Sequence, residues 1–221
     1  MEKELKNSIL KTGTTILGIV CKDGIVMASD RQVTLGHMVH TKDFKKVIPI
    51  NDNYLMAIAG GVSDAQRYVK ILSAELRLRE LSSRKKPEVK QAANLLATIA
   101  YSQIRQPSMI PAIVGSLFGG RNNNDSFGLY TIGPDGSIIQ VNKYDSNGSG
   151  DHYVLGLLER QWKPNLTIKQ GVELAKEALK SSTQRDIASG YGVDIFSITK
   201  EGIKKEVEQT INPDYKDDKK E

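Results

Sequence analysis

The order of the predicted elements indicates an α+β fold, a four-layer αββα sandwich in which two antiparallel sheets stack face to face between outer helix layers. Three blocks of short apolar or alternating runs, typical of strands, are separated by two pairs of helical patterns. A parallel doubly wound fold would instead alternate strands and helices one by one. The 221 residues are 39% hydrophobic and include 19 glycines, which is ordinary for a chain that buries a full core.

The first strand block contains four predicted strands. They cover residues 14–21, 24–30, 46–50 and 54–60. Turn-forming residues at 22–24 and 51–53 separate neighbouring strands, and the short spacings predict hairpins.

Two helices are predicted to follow the first block. Apolar residues recur at three- and four-residue steps in 63–84, and Pro87 suits the first turn of a second helix that runs to about Arg105. The second strand block covers 112–118, 126–132 and 137–142.

A second helix pair is predicted at 151–162 and 167–183, the latter starting at the capping box Thr167-Ile168-Lys169-Gln170. Strands at 192–199 and 202–208 close the fold. We expect residues 14–211 to form a single catalytic domain and the polar tail, 212–221, to be disordered.

Charge and composition exclude several function classes. Lys and Arg exceed Asp and Glu by 31 to 26, aromatic residues are 6% of the chain, and the one basic cluster, 84–90, is interpreted as a solvated helix junction. Nucleic-acid binding is therefore not expected. No run of 18 apolar residues occurs and the charged N-terminus is not a secretory signal. We expect no membrane contact and a cytoplasmic location.

Metal and cofactor chemistry is also not predicted. The single cysteine, Cys21, excludes a multi-thiolate site and lies in an apolar strand, where it is interpreted as a core residue. The three histidines lack metal-ligand spacing, and no G-x-S-x-G motif is present. Any catalysis must then use a hydroxyl nucleophile that a group other than histidine activates.

The segment Thr12-Gly13-Thr14-Thr15 allows two interpretations. It is either an ordinary turn into a strand or the site of an N-terminal nucleophile. In the second case, cleavage between Gly13 and Thr14 would give Thr14 a free α-amine, a base with a pKa of about 7.7–8.0 beside its own hydroxyl. Residues 1–13 would be a removable leader, and glycine before the cleaved bond would allow the backbone to fold back.

Such a nucleophile needs a nearby positive charge and an oxyanion donor. Lys46 is the best candidate for the charge because strand alternation places it in phase with Ile48, whereas Lys45 points to the other side. A buried lysine needs a carboxylate, which Asp30 could supply, although a surface turn is an equal alternative for that residue. Gly60 ends an apolar strand where its N–H could approach a ligand closely.

Taken together, these residues resemble the β subunit of the proteasome core particle, of archaeal rather than eukaryotic type. The resemblance runs in order from about Thr12 to Lys200. The matching motifs are Thr12-Gly13-Thr14-Thr15, Ser29-Asp30-Arg31, Lys45-Lys46, Ala59-Gly60 with Ser63-Asp64-Ala65-Gln66, Gly148-Ser149-Gly150, and Gln184-Arg185-Asp186 with Ala188-Ser189-Gly190.

The resemblance implies the N-terminal-nucleophile hydrolase fold and a threonine endopeptidase that needs no cofactor. It implies that Thr14 is nucleophile and base, that Lys46, held by Asp30, tunes it, and that the Gly60 N–H forms the oxyanion hole. Around the Thr14 amine it places three further polar residues, Ser149, Asp186 and Ser189, which local sequence alone would assign to loops.

The same resemblance implies a substrate pocket. It maps onto Val33, Thr34, Phe44, Ile48, Ile58 and Val62, with Gln66 at the mouth. Because most of these residues are apolar, a chymotrypsin-like preference for cleavage after hydrophobic residues is expected. The implied partners are a proteasome α-subunit ring, other β subunits in a heptameric ring, an ATP-dependent unfoldase docked on the α ring, and polypeptide substrates.

Three alternatives stay open. The chain could be a structural ring subunit that is never processed, or a small-molecule amidase on the same fold. The segment from Gln32 to His37 also resembles the bacterial proteasome-like peptidase that works with an unfoldase. Two positions depart from the family pattern, since Ile16 stands where threonine is common and Gln32 where arginine is common, but neither carries a proton in the implied mechanism.

Overall fold

The computed structural model describes residues 13–211, so the expected leader up to residue 12 and the expected disordered tail, 212–221, lie outside the described residues. The elements follow the predicted order of strands, helix pair, strands, helix pair and strands. They are β1 (Thr15–Cys21), β2 (Gly24–Asp30), β3 (Val33–Leu35), β4 (Met38–Thr41), β5 (Val47–Pro49), β6 (Tyr54–Gly60), α1 (Val62–Ser83), α2 (Val89–Ile104), β7 (Val114–Arg121), β8 (Phe127–Ile132), β9 (Ile138–Gln140), β10 (Tyr144–Gly148), α3 (Asp151–Gln161), α4 (Ile168–Thr183), β11 (Gly192–Thr199) and β12 (Gly202–Thr210).

The strands form two five-stranded sheets. The first has the order β10-β1-β2-β11-β12 and the second β5-β6-β7-β8-β9, and neighbouring strands in both are antiparallel. A separate hairpin pairs β3 with β4. Helices α1 and α2 cover the second sheet, and α3 and α4 cover the first. The predicted four-layer αββα sandwich is confirmed.

Three apolar layers hold this sandwich together. In β6, Leu55 and Ala57 pack between the two sheets, whereas Met56 and Ile58 pack against α1 and α2. Since both faces of the strand are buried, its sequence is apolar throughout instead of alternating with polar residues. The third layer joins the first sheet to α3 and α4 and includes Leu17 of β1.

Helix starts follow local sequence. Thr167 caps α4, and the side chain of Gln170 reaches back to the Thr167 backbone, as the capping box predicts. Glu88 and Gln91 form the same reciprocal pair at α2, which the sequence argument did not identify. None of the helices within residues 13–211 is long and apolar enough to cross a membrane.

Some strand boundaries differ from the predictions. The hairpin β3–β4 and the strand β10 were not predicted, because β3 and β4 are only 3 and 4 residues long and β10 reads Tyr-Asp-Ser-Asn-Gly, without apolar alternation. The strand expected at 112–118 is shifted to Val114–Arg121, beyond the prolines. The unpredicted β10 pairs with β1 and opposes Thr15 with Gly148, so it fixes which loop lies beside Thr14.

Candidate active site

Thr14 lies at the entrance to β1 and is only 6% exposed. Its backbone N–H donates to Ser149 Oγ over 3.2 Å, and its Oγ1 donates to the carbonyl oxygen of Gly13 over 2.6 Å. The hydroxyl therefore lies directly beside the carbonyl of the peptide bond that precedes it. The amide nitrogen of the same bond is held by Ser149.

The carboxylate of Asp30 lies at the end of β2 and is fully buried. Its Oδ1 accepts from Lys46 Nζ over 2.7 Å and from the Thr15 N–H over 2.9 Å. Its Oδ2 accepts from two further backbone N–H groups, those of Gln32 at 2.9 Å and Gly190 at 3.0 Å. Four donors from different segments thus satisfy one buried carboxylate.

Lys46 is as buried as its partner. The Lys46 side chain is 2% exposed, whereas that of Lys45 is 59% exposed, which agrees with the predicted contrast between the two lysines. The inward orientation of Lys46 was predicted from that of Ile48. Ile48 is only half-buried, so Lys46 is more deeply buried than the residue on which its prediction was based.

Burial disturbs the pKa of both members of this pair. Burial raises the pKa of the Asp30 carboxyl, and the charge and hydrogen bond of Lys46 oppose the rise. Burial lowers the pKa of the Lys46 ammonium, and Asp30 opposes that fall. Each charge depends on the other, because the low-polarity surroundings favour the neutral form of either group alone.

A second polar network lies on the other side of Thr14. Asp186 Oδ2 accepts from Ser149 Oγ and from Ser189 Oγ, each over 2.6 Å. The hydroxyls of Ser189 and Thr15 lie 2.7 Å apart. The structure thus brings Ser149, Asp186 and Ser189, which come from two separate loops, into one network, and Ser149 links this network to the backbone nitrogen of Thr14.

Gly60 has a backbone that only glycine adopts readily. Its φ is +130°, and a Cβ at this position would lie 2.2 Å from the carbonyl oxygen of Ile113. Gly60 lines a narrow recess together with Thr14 and Lys46. A backbone donor at this point can therefore approach a bound carbonyl without a side chain in the way.

A cleft of about 860 Å³ opens over Thr14. Five of the sequence-predicted substrate residues line it, namely Val33, Thr34, Phe44, Val62 and Gln66. Ile58 lines the narrow recess beside Thr14, with Val33, Phe44 and Val62. Ile48 lines neither cavity and packs instead against the layer between the second sheet and its helices.

Several residues at the site were not identified from sequence as part of it. Thr15 bonds to both polar networks, and Ile110, Pro111, Ile113 and Asn147 complete the cleft. Thr15 could have been found, because it is a second hydroxyl next to the proposed nucleophile. Ile110, Pro111 and Ile113 come from the loop before β7, and Asn147 comes from the unpredicted strand β10. Their positions depend on the packing of the two sheets, and the sequence carries no local signal for them.

Two other chemistries find no support in the described part of the chain. Residues 13–211 contain no group of three His, Cys, Asp or Glu side chains placed to hold a metal ion. Cys21 is buried, and burial, with a smaller contribution from Asp23, raises the pKa of its thiol to about 12. A thiol with that pKa is almost wholly protonated at neutral pH and is a poor nucleophile.

A threonine at the entrance to the first strand of an αββα sandwich, with its hydroxyl facing a cleft, is the arrangement of the N-terminal-nucleophile hydrolase fold. A sequence profile of the family described as "Proteasome subunit" matches residues 10–198. The chain belongs to the proteasome subunit family.

Individual relatives agree with this assignment. The chain is 43% identical to the "Proteasome subunit beta" of Nanoarchaeum equitans over 192 residues, which cover 87% of this chain and 96% of that protein. It is 35% identical to the "Proteasome subunit beta" of Archaeoglobus profundus over 213 residues, 95% of this chain and 96% of the other. The protein of the same description from Methanosarcina mazei is 34% identical over 193 residues, with 87% and 90% covered.

Proposed function

We propose that this chain is a catalytic β subunit of a proteasome core particle, a threonine endopeptidase that activates itself by cleaving the Gly13–Thr14 bond. The observation that carries the proposal is the position of Thr14, whose Oγ1 lies 2.6 Å from the carbonyl oxygen of Gly13 and which lines one narrow recess with Lys46, the partner of Asp30. Membership in the proteasome subunit family supports the same function.

Self-activation follows from this geometry as an acyl shift. Thr14 Oγ1 attacks the carbonyl carbon of Gly13, the bond from that carbon to the Thr14 nitrogen breaks, and the hydroxyl proton ends on the nitrogen. The product is an ester between Gly13 and Thr14 Oγ1 together with a free Thr14 amine. Water then hydrolyses the ester, which leaves a Gly13 carboxylate on the leader and restores the hydroxyl of Thr14.

Peptide hydrolysis then uses the new amine as the base. The Thr14 hydroxyl attacks a substrate carbonyl while its own amine, with a pKa of about 7.7–8.0 when unperturbed, takes the proton. The amine passes that proton to the leaving nitrogen as the peptide bond breaks, and water then hydrolyses the ester on Thr14 and restores the hydroxyl. The Gly60 N–H stabilises the oxyanion, and the Lys46 charge favours the alkoxide. Ser149 and Asp186, with Ser189, hold the amine in place.

The remaining parts of the proposal concern assembly. As the relatives are described as β subunits, we propose that this chain works in a heptameric ring of β subunits beside an α-subunit ring. An ATP-dependent unfoldase docked on the α ring would supply unfolded polypeptides. The cytoplasmic location stays a prediction.

The intact mass of the chain, co-expressed with its α partner, tests self-activation. We expect a species that begins at Thr14, because the hydroxyl and the Gly13 carbonyl are already in contact. If assembled rings retain the leader in full, the structural-subunit alternative replaces the catalytic one.

Substrate preference provides a separate prediction. Fluorogenic peptides that end in leucine or tyrosine should be cleaved at least about tenfold faster than matched peptides that end in aspartate or lysine. The recess beside Thr14 is lined by Val33, Phe44, Ile58 and Val62 and by Lys46, whose charge is already paired with Asp30. Burying a further charge there costs free energy that the paired lysine does not offset. Faster cleavage after the charged residues would contradict the proposed preference.

The residue before the cleaved bond should be limited to glycine. A Cβ on Gly13 would lie 1.7 Å from Cβ of Ala188, so Gly13→Ala must displace the carbonyl that Thr14 attacks. A displacement of about 1 Å can cost about 100-fold in rate, and we expect processing to slow by that order. The measurement is the rate at which mature chain appears by mass.

Two variants control this prediction. Ala188→Gly should restore part of the processing in the Gly13→Ala background, because it removes the Cβ in conflict at 1.7 Å, while the Cα of residue 188, at 2.9 Å, still crowds the added methyl group. Gly156→Ala adds a methyl group where nothing lies within 4 Å, and should process at the wild-type rate. Normal processing of Gly13→Ala alone would show that the packing against Ala188 does not constrain the bond.

A further inference from the structure

Thr15, the residue after the proposed nucleophile, is bonded to both polar networks of the site. Its backbone N–H donates to Asp30 Oδ1 over 2.9 Å, and its hydroxyl lies 2.7 Å from that of Ser189. The side chain is fully buried. We propose that Thr15 is a positioning residue whose hydroxyl holds the Ser189–Asp186–Ser149 network in the geometry that Thr14 needs; this rests on the proposed function.

The direction of the Thr15–Ser189 bond follows from the hydrogens available. A serine hydroxyl has one hydrogen, and Ser189 donates it to Asp186 Oδ2 over 2.6 Å. Ser189 can therefore only accept from Thr15, so the Thr15 hydroxyl is the donor. Each bond in this chain polarises the next, which strengthens the hold of Ser189 on Asp186.

The chain of bonds ends at the nucleophile. Asp186 Oδ2 also accepts from Ser149 Oγ, and Ser149 Oγ in turn accepts from the Thr14 backbone nitrogen over 3.2 Å. A path of four hydrogen bonds thus leads from the side chain of Thr15 back to the nitrogen of its own neighbour. After cleavage of the leader, that nitrogen is the base of the proposed mechanism.

The surroundings of Thr15 leave the hydroxyl little freedom. A Cβ on Gly150 would lie 2.0 Å from Thr15 Oγ1, so the glycine provides the space that the hydroxyl fills. The backbone of Thr15 is tied to the buried Asp30, which also binds Lys46. The hydroxyl therefore has a fixed position, and it transmits that position to Ser189.

Two substitutions at position 15 separate the effect of the hydroxyl from the effect of side-chain size. Thr15→Val keeps the shape but removes the donor, so the buried Ser189 oxygen loses the hydrogen bond that it accepts and keeps the one that it donates to Asp186. We expect kcat for a leucine-terminated peptide to fall about 10- to 100-fold with KM within about twofold, and processing to slow in parallel. Thr15→Ser keeps the donor and should retain kcat within about threefold of wild type.

Thr131→Val is the matched control. Thr131 is, like Thr15, a strand threonine with a hydrogen-bonded hydroxyl, but it is half-buried, donates to the carboxylate of Asp145 and lies in β8 of the second sheet. This variant should keep wild-type kcat. Melting temperature and ring assembly are measured for every variant, so that a loss of kcat can be separated from a loss of folded protein.

A double variant tests whether Thr15 acts through Ser189. If it does, Thr15→Val combined with Ser189→Ala should lose no more activity than Ser189→Ala alone. Three results would each overturn the positioning role. The losses of the two single variants could multiply in the double variant, Thr15→Val could keep wild-type activity, or Thr15→Ser could be as impaired as Thr15→Val. A wild-type particle that neither processes nor cleaves peptides would overturn the proposed function itself, and is distinguished by the wild-type assay alone.

Discussion

Thr14→Ala is expected to abolish both removal of the leader and hydrolysis of peptides. The hydroxyl that this variant lacks lies 2.6 Å from the Gly13 carbonyl oxygen in the wild type and is the proposed attacking group in both reactions. Loss of a nucleophile that works with its own base costs at least about 10⁴-fold in rate. Intact mass of the assembled particle and peptide turnover in the same preparation measure the two effects.

Thr14→Ser is the informative control for this variant. It keeps the hydroxyl and loses one methyl group, so processing and turnover should persist at a reduced rate. Rings of Thr14→Ala should assemble with the full leader attached, which would separate the nucleophile from the fold. A Thr14→Ala particle that still releases residues 1–13 would show that another group cleaves the bond.

Much of the fold was predictable because its signals are local. The helix pairs have regular apolar spacing, and strands such as β6 are apolar throughout since both faces are buried. The strand β10 was missed because its five residues are polar or small. Its presence in the sheet depends on pairing with β1, a contact between segments about 130 residues apart, which no local pattern records.

The candidate site also has parts that local sequence predicts and parts that it does not. The burial of Lys46 and the exposure of Lys45 agree with the alternation predicted from sequence, although both residues lie just before β5. The pairing with Asp30 was predicted from the need of a buried ammonium for a carboxylate. Ser149 and Asp186 were reached only through resemblance to a family. The contact of Gly13 with Ala188 was not predicted, because it depends on how the loop after α4 packs against the entrance to β1.

Ile48 is the residue of the implied substrate pocket that lines neither cavity. The resemblance placed it there together with Ile58; both pack in the layer between the second sheet and its helices α1 and α2, but only Ile58 also lines the recess beside Thr14. The strand β5 has only three residues, Val47–Pro49, so the alternation that starts at Lys46 acts over a short distance. A two-residue period fixes the side of the sheet but not the cavity that a side chain reaches.

Lys46→Ala should reduce processing and peptide turnover by about a thousandfold. A unit charge about 4 Å from the reacting oxygen is worth up to about 4 kcal/mol at an effective dielectric constant near 20, and that free energy corresponds to about three powers of ten in rate. Lys45→Ala, at the exposed neighbouring position, should be close to wild type in both assays. Peptide turnover and intact mass provide the measurement.

Asp30, the partner of Lys46, affects how the loss of activity in Lys46→Ala is interpreted. Without the ammonium, Asp30 would be a buried carboxylate with only backbone donors, and loss of one member of such a pair costs about 3–5 kcal/mol of stability when the charge remains. Burial already raises the pKa of Asp30, so it can take up a proton and limit that cost. The double variant Lys46→Ala with Asp30→Asn replaces the carboxylate by a neutral amide, so that no unpaired buried charge is left.

The double variant therefore separates the catalytic role of the lysine from its structural role. If Lys46 acts by its charge, the double variant should assemble while turnover stays about a thousandfold low. Its melting temperature should fall below that of the wild type, because the amide NH₂ introduced at position 30 must face backbone N–H groups that donate to the Asp30 carboxylate. Asp30→Asn alone should assemble and lose activity as well, because the lysine is then free to move away from Thr14. Near-normal turnover in an assembled Lys46→Ala particle would mean that the Thr14 amine is sufficient as a base, and that the buried pair serves only to hold β2 against the start of β5.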